Sequence, residues 1–562
     1  MPAYDLETIR KHIIGNNVIF PTPFGDRHLL YADYTASGRG VQFIEERMQN
    51  ILAAYGNTHT EDDFSGKYLT TLLHQSEKRI KELVHAGEHG KVIMTGSGAT
   101  GALKKLQEII GVYIPPATKD YLYKTIQSST SSSHQLIEHI EQNRPVVFIG
   151  PYEHHTNELM WRESHAEVVV IKLDEKGKID LQDLEENLSN PAYAHRWKLA
   201  SFSAGSNVTG IRTPVYDIAC ICHRHNTFVF FDFAAVAPYI TIDMNRDPES
   251  SFDAIFFSPH KFLGGPGTCG VLVFNEKIYR KDLPPTTAGG GTVIYVGFKN
   301  HDFSEDIETR EKAGTPPILQ AIKAAMVLEL KEKIGVETIE AVERSFTKYF
   351  IEKLKEVKNI ELLGDVALDE RVPIVSFNIR HKDRILHPRF VATLLNDLFG
   401  IQSRAGCSCA GPYGHILLGI DNETSEKYRK CIVHGCEGIK PGWVRVNIHY
   451  TLSQDDVDFI LQAIEFIARS GHLFLQNYLF NMKTAEWNYI GFTQHTPRFS
   501  LDEAFRQHTV TLDSLPSLRA SYLREAKTIE ESLKRQIPPP YIKDDDALKD
   551  LTYFYCCHKT EG

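Results

Sequence analysis

Residues 227–233 read Thr-Phe-Val-Phe-Phe-Asp-Phe, and residues 254–267 read Ala-Ile-Phe-Phe-Ser-Pro-His-Lys-Phe-Leu-Gly-Gly-Pro-Gly. Each carries a short apolar run bounded by turn residues, the pattern of a strand buried on both faces of a parallel sheet. In such sheets ligands bind in the crevice beyond the carboxyl ends of the strands. The first run puts Asp232 near that end. The second delivers Ser258, His260 and Lys261 just past it, ahead of a glycine cluster.

Working outward, further runs at Lys91–Thr95, Pro145–Gly150, Glu167–Leu173, Lys198–Ser203 and Gly270–Phe274 read as strands. They alternate with helix-period stretches such as Thr100–Val112, where Ala102, Leu103, Leu106, Ile109 and Ile110 share one side. The expected fold class is therefore α/β with a mainly parallel sheet. A long helix is expected from about Pro317, and beyond it the pattern changes to a smaller α+β unit. That unit has strands near Ile374–Ile379 and Val444–Ile448 and a closing helix with Ser453 as N-cap, Asp456 in its first turn and Gly471 as stop. The expected organisation is a segment 1–30 packing with the small domain, a large domain 31–315, a small C-terminal domain 316–475, and an appendage 476–562. In the appendage Leu518, Leu523, Ile529 and Leu533 offer an apolar stripe.

Composition narrows the function classes. The chain has 562 residues, with 62 Lys+Arg against 72 Asp+Glu, a net charge of −10. That balance, without basic blocks, argues against a nucleic-acid partner. The most apolar long segment, residues 227–242, holds Asp232 and Pro238 and is too short to cross a bilayer, so no membrane role is expected. Nine cysteines are too few for a disulfide scaffold, and the opening residues carry Asp5, Glu7 and Arg10 where a signal peptide would be apolar. The expected compartment is the cytoplasm.

The Asp232–Lys261 pair has the chemistry that pyridoxal phosphate requires. A lysine forms a Schiff base with the aldehyde, and a carboxylate pairs with the protonated ring nitrogen so that the ring accepts electrons. Residues 95–101, Thr-Gly-Ser-Gly-Ala-Thr-Gly, leave a strand and open a helix. The amides around Gly98, Ala99 and Thr100, with the positive helix end, suit a phosphate.

These residues, with Ser203-Ala204-Gly205-Ser206-Asn207-Val208-Thr209-Gly210 and Tyr31-Ala32-Asp33-Tyr34, resemble the class V aminotransferase superfamily. The nearest likeness is to its cysteine desulfurase and selenocysteine lyase branch, with the related molybdenum-cofactor sulfurases. The resemblance implies the pyridoxal-phosphate fold-type I architecture and a homodimer with active sites at its interface. It implies Lys261 as Schiff-base lysine and proton shuttle, and Asp232 as partner of the ring nitrogen. His154 would stack on the ring, while Gly98, Ala99, Thr100, Ser258 and His260 would hold the phosphate. Thr315 would reach the phosphate of the partner subunit. Asn207 would lie near the cofactor oxygen and substrate carboxylate, and Arg445 would clamp that carboxylate, a task suited to a bidentate guanidinium.

The branch-specific signal is Arg404-Ala405-Gly406-Cys407-Ser408-Cys409. The resemblance makes Arg404 the start of the loop and Cys409 the thiol that takes sulfur from L-cysteine or selenium from selenocysteine, leaving alanine. Cys407 is a doublet partner also found in molybdenum-cofactor sulfurases, and a sulfur-acceptor protein is a further implied partner. A zinc site drawn from Cys407, Cys409, Cys431, His434 and Cys436 lacks the usual pair spacing, so no metal is expected. One departure stands out: Ala235 occupies the position, three residues after the aspartate, where the family carries a hydrogen-bonding glutamine. It keeps open another class V reaction, such as transamination, epimerisation or β-elimination; the alternative outside enzymes is a cofactor-binding scaffold whose dimer and tail serve an interaction partner.

Overall fold

In the computed structural model, which describes residues 4–58, 60–129, 133–364, 367–493, 514–544, 548 and 550–559, the chain divides into two compact units. Residues 37–206 and 211–338 form a sheet unit; residues 1–36, 207–210 and 339–562 form a terminal unit.

The apolar runs of the sheet unit become seven strands: β1 (Gly90–Thr95), β2 (Val146–Ile149), β3 (Glu167–Val170), β4 (Lys198–Ser203), β5 (Phe228–Asp232), β6 (Ala254–Phe257) and β7 (Gly270–Asn275). Their order is β1-β7-β6-β5-β4-β2-β3. Only β7 runs against the rest, pairing antiparallel with β1 and β6, while the pairs from β6 to β3 are parallel. Every side chain of β2 and β6 is buried, which is why these segments are continuously apolar rather than alternating. Helix α1 (Gly98–Ile109) covers one face, with Leu103 and Leu106 packed among Ile93, Leu199, Phe230 and Phe256. It starts two residues before the expected Thr100, because the turn at Gly96–Gly98 makes Ser97 its N-cap. Helices α2 (His155–Arg162) and α3 (Ile318–Ile334) follow. A hairpin, β8 (Val293–Val296) with β9 (His301–Phe303), lies before α3.

The terminal unit is built on an antiparallel sheet of β10 (Ile360–Leu362), β11 (Ile374–His381), β12 (Arg404–Gly406) and β13 (Trp443–Asn447), in the order β10-β11-β13-β12. Helices α4 (Pro388–Phe399), α5 (Gln454–Ser470) and α6 (Leu515–Lys534) share its core, where Phe377, Val444, Leu394 and Ile464 meet Tyr522, Ala526 and Leu533. Leu518, Leu523 and Ile529 are partly buried against the same core, as are Phe24 near the N-terminus and Tyr541 near the C-terminus.

Ser453 caps α5 in a reciprocal box with Asp456. Gly471 is the C-cap at which α5 stops, as expected. Its φ is −57°, not left-handed, and the chain runs on into a 3-10 turn, Gly471–Asn477. A Cβ there would lie 2.8 Å from Ile467 Cγ2, so close packing is what requires the glycine.

Residues 207–210 are held in the terminal unit by backbone recognition. Ser376 Oγ donates to the Val208 carbonyl at 2.6 Å and Arg371 Nη2 to the Thr209 carbonyl at 2.8 Å. Among the described residues, no helix is long and apolar enough to cross a membrane.

Candidate active site

In the sheet unit the strand ends gather the expected cofactor residues. Asp232 closes β5, registered beside Ser203 of β4 and Phe256 of β6. It is 4% exposed, and its Oδ1 accepts the Ala234 N–H at 2.8 Å. Burial pushes its carboxyl up to about 6; the Ala234 N–H and the positive charge of Lys261 act the other way. Lys261 ends the one-turn 3-10 helix Pro259–Lys261 that follows β6.

Ser258 Oγ accepts the Ala99 N–H at 2.7 Å, which ties the end of β6 to the first turn of α1. Gly98 stands at φ +59°, and a Cβ there would lie 2.6 Å from that same Ser258 oxygen. The turn therefore closes only around glycine. His260 carries a neutral imidazole, pushed down to about 4 by burial and then by Lys261; its Nδ1 lies 3.4 Å from Ser37 Oγ. Thr100 Oγ1 and Thr156 Oγ1 are 2.7 Å apart, joining the first turns of α1 and α2. His154 is the N-cap of α2, its Nδ1 accepting the Thr156 N–H at 3.1 Å. That bond leaves the proton on Nε2 in the neutral ring.

Beneath His154 lies a carboxylate that sequence reading missed. Glu153 Oε1 accepts the N–H groups of Gly150 and Ser203, and Oε2 accepts Asn157 Nδ2 and Ser203 Oγ. Burial pushes it up to about 7 against these donors, with Asp232 adding to the rise. Thr156 and Ser37 were missed as well. Their signal was weak, a hydroxyl in a helix first turn and a serine far from Lys261 in the chain. Thr315 is not joined to this group by any hydrogen bond among the described residues; its Oγ1 accepts from Asn57 Nδ2 at 3.0 Å.

The terminal unit gathers the remaining candidates. Arg445 on β13 is registered opposite Arg404 on β12. Its Nη2 lies 2.8 Å from Asp33 Oδ1, and its Nη1 donates to the Asn207 carbonyl at 3.0 Å. Asn207 Nδ2 in turn donates to the Ser408 carbonyl at 2.6 Å. Its Oδ1 is buried with no hydrogen-bond partner among the described residues, an acceptor available to a ligand. Cys407 to Ala410 form a tight turn, closed by the Ala410 N–H to the Cys407 carbonyl at 3.1 Å. Ser408 and Cys409 both take left-handed φ, +51° and +58°. Such a pair of non-glycine residues is strained, a feature that concentrates at functional sites. Arg404 Nη2 is 3.8 Å from Cys409 Sγ. Asp33 is thus a further site residue; it stood in the motif near the start without an assigned role.

The donor set fits the group inferred from the sequence. A buried carboxylate suits a protonated ring nitrogen, the lysine suits a carbonyl, and the α1 first turn with Ser258 suits a phosphate. No group of three or more metal-ligating side chains is found among the described residues.

Comparison with known proteins agrees. The family model for aminotransferase class V, a family of pyridoxal-phosphate enzymes, matches residues 125–473. A Halalkalibacterium halodurans protein named "Probable cysteine desulfurase" is 30% identical over 342 residues, 60% of this chain and 79% of that protein. A Streptomyces coelicolor protein of the same name is 25% identical over 414 residues, 73% of this chain and 89% of its own. Among solved structures, the apo cysteine desulfurase of Thermococcus onnurineus aligns with a TM-score of 0.64 at 25% identity, covering 82% of this chain and 98% of that one. The Escherichia coli cysteine desulfurase CsdA shares the fold, with a TM-score of 0.60 at 20% identity over 83% and 98% of the two chains. The chain has the α/β architecture of fold-type I and belongs to the class V aminotransferase family, on its cysteine desulfurase branch.

Proposed function

We propose that the chain is a pyridoxal-phosphate-dependent cysteine desulfurase, which cleaves the Cβ–S bond of L-cysteine, or the Cβ–Se bond of selenocysteine, and yields alanine with a persulfide on Cys409. The observation that carries this reading is the cysteine turn. Cys409 stands at a left-handed φ, has the Arg404 guanidinium 3.8 Å from its sulfur, and is fixed through Ser408 by Asn207.

When bound, pyridoxal phosphate supplies an electron sink that weakens the bonds at the α-carbon of an amino acid. The chain's own residues do the rest. Lys261 Nζ anchors the cofactor and then moves the α-proton. Asp232 would pair with the protonated ring nitrogen, and His154 would stack on the ring. The first-turn amides of Gly98, Ala99 and Thr100, with Ser258 and His260, hold the phosphate. Arg445 takes the substrate carboxylate, with Asn207 beside it, and Cys409 Sγ accepts the sulfur. An acceptor then takes that sulfur from the persulfide.

The protein acts as a homodimer in this reading, with Thr315 serving the partner subunit. Ile294, Tyr295, Val296 and Phe298 on the β8–β9 hairpin are all exposed in the single chain, an apolar patch that a second copy would cover. The cytoplasm is the proposed compartment.

The test is a visible spectrum of protein purified with cofactor, before and after L-cysteine, with alanine and sulfide assayed together. An absorption band at about 400–430 nm, lost in Lys261→Ala, is expected, with alanine formed and, when a dithiol reductant is present to reduce the persulfide, sulfide in equal amount. Cys409→Ala releasing sulfide at the full rate would overturn the role of Cys409. One observation supports a second reading. Ala235 is buried and offers only a methyl group where the family's glutamine donates a hydrogen bond. A band with a keto-acid product, or with sulfur retained, would select another class V reaction.

A further inference from the structure

A cavity of about 210 Å3 opens beside the cysteine turn, wholly within the terminal unit. Cys407 and Cys409 border it, and so do Gly406 and Gly442, which contribute no side chains. A Cβ on Gly442 would come within 2.7 Å of the Gly406 backbone, so the close approach of β12 and β13 depends on that residue remaining glycine.

The charge of the wall is one-sided. Arg404, Arg389 and Lys440 contribute three cations and Glu437 a single anion. His387, on the same wall, adds no charge. Burial pushes its imidazole down to about 3, Nδ1 accepts the Arg389 N–H at 3.2 Å, and Nε2 donates to the Gly438 carbonyl at 3.1 Å. The Arg389 guanidinium is held by the Thr484 carbonyl at 2.9 Å. Ala485, at a left-handed φ of +58°, completes this side. Of the lining residues, Ala485 alone lies beyond the stretch that the family model matches.

The space is small. At about 30 Å3 for each water-sized group it admits roughly seven such groups. A net positive lining selects a negative occupant.

We propose that this cavity receives the sulfur acceptor, and that the acceptor is a small thiol bearing a negative charge, such as a mercaptocarboxylate. The proposal rests on the reading of Cys409 as the persulfide carrier. The acceptor thiolate attacks the outer sulfur of the persulfide and forms a new S–S bond to it. The bond from that sulfur to Cys409 breaks, and its electron pair stays on Cys409 Sγ, beside Arg404. The acceptor leaves as its own persulfide, so the exchange consumes neither oxidant nor reductant. Arg389 and Lys440 would hold the acceptor's carboxylate while its sulfur reaches Cys409.

The experiment uses the full chain with cofactor, loaded with L-cysteine, its Cys409 persulfide read by intact mass. The loaded protein is mixed with 3-mercaptopropionate, 2-mercaptoethanol or cysteamine at equal thiolate concentration, and loss of the persulfide is timed. Lys440→Glu is the comparison variant. Lys440 is exposed, and its backbone carbonyl, which accepts the Tyr553 hydroxyl at 2.7 Å, survives the change.

The anionic thiol is expected to unload wild-type protein roughly ten-fold faster than the cationic one, and Lys440→Glu to shrink or reverse that ratio. Equal rates for all three thiols would overturn the proposal, as would an order that Lys440→Glu leaves unchanged. Unloading only by a protein thiol would also overturn it. A chain that acquires no persulfide on Cys409 from one equivalent of L-cysteine instead overturns the reaction itself, and this is read before any of the three acceptor thiols is added.

Discussion

Arg445 and Asp33 form an ion pair within the terminal unit: Nη2 lies 2.8 Å from Oδ1, with the arginine side chain 2% and the aspartate side chain 18% exposed. The residue proposed to take the substrate carboxylate therefore already holds a carboxylate of the chain. A buried guanidinium needs such a partner, because removing one member of a buried pair leaves an uncompensated charge.

Asp33→Ala is expected to lower stability by about 3 kcal/mol, and Asp33→Asn, which keeps an acceptor, by less. If substrate displaces Asp33 from Arg445, Asp33→Asn also lowers KM for cysteine while kcat changes little. Thermal unfolding and steady-state kinetics check both parts. An unchanged KM would show that Asp33 and substrate do not compete for the guanidinium.

Asp232 and Glu153 are both buried and both held above the ordinary carboxylate range, at about 6 and about 7. Each binds its proton more tightly in the folded chain than in the unfolded one. The stability they contribute is full below about pH 4 and is lost as pH rises through 6 for Asp232 and 7 for Glu153. Asp232→Asn removes the ionised form, so the cofactor-free chain gains up to about 3 kcal/mol at pH 8 and little at pH 4. The same change lowers activity about 100-fold or more. Glu153→Gln also removes an ionised form at pH 8, but it carries a second, pH-independent cost that shows alone at pH 5. Its amide NH2 would face Ser203 and Asn157 donors, at a cost of about 2 kcal/mol. Melting temperatures of the cofactor-free variants at pH 5 and pH 8 separate the two, and no gain for Asp232→Asn at pH 8 would count against its uncompensated burial.

The Tyr522 hydroxyl on α6 accepts the buried His28 N–H at 3.0 Å, and Arg27 beside it pairs with Glu525 at 3.0 Å. Tyr522→Phe leaves that N–H unpaired and is expected to cost about 1–3 kcal/mol, with the cofactor band unchanged. A melting temperature equal to wild type would mean that water replaces the hydroxyl.

Much of the sheet unit was legible because its signals are local. A strand buried on both faces needs a continuous apolar run, so Thr227–Phe233 announced itself. The spacing from that strand to Lys261, and from the β1 end to Thr100, lies within short stretches of chain. The same holds for the Arg404–Cys409 interval, which one turn spans. Gly471 was legible as the stop of α5, but the reason for a glycine there was not: it makes room for Ile467.

What only the tertiary structure decided are the partners brought together from far along the chain. Asp33 meets Arg445 across 412 positions, Asn207 clamps Ser408 across 201, and Tyr522 caps His28 across 494. A buried charge or amide must find a partner, but its sequence states only the need. Any of many carboxylates or carbonyls could meet it until packing fixes which one is near. The chain's local pattern determined the strands, the lysine–carboxylate pair and the cysteine turn; burial, acting between distant segments, decided which side chains hold them in place.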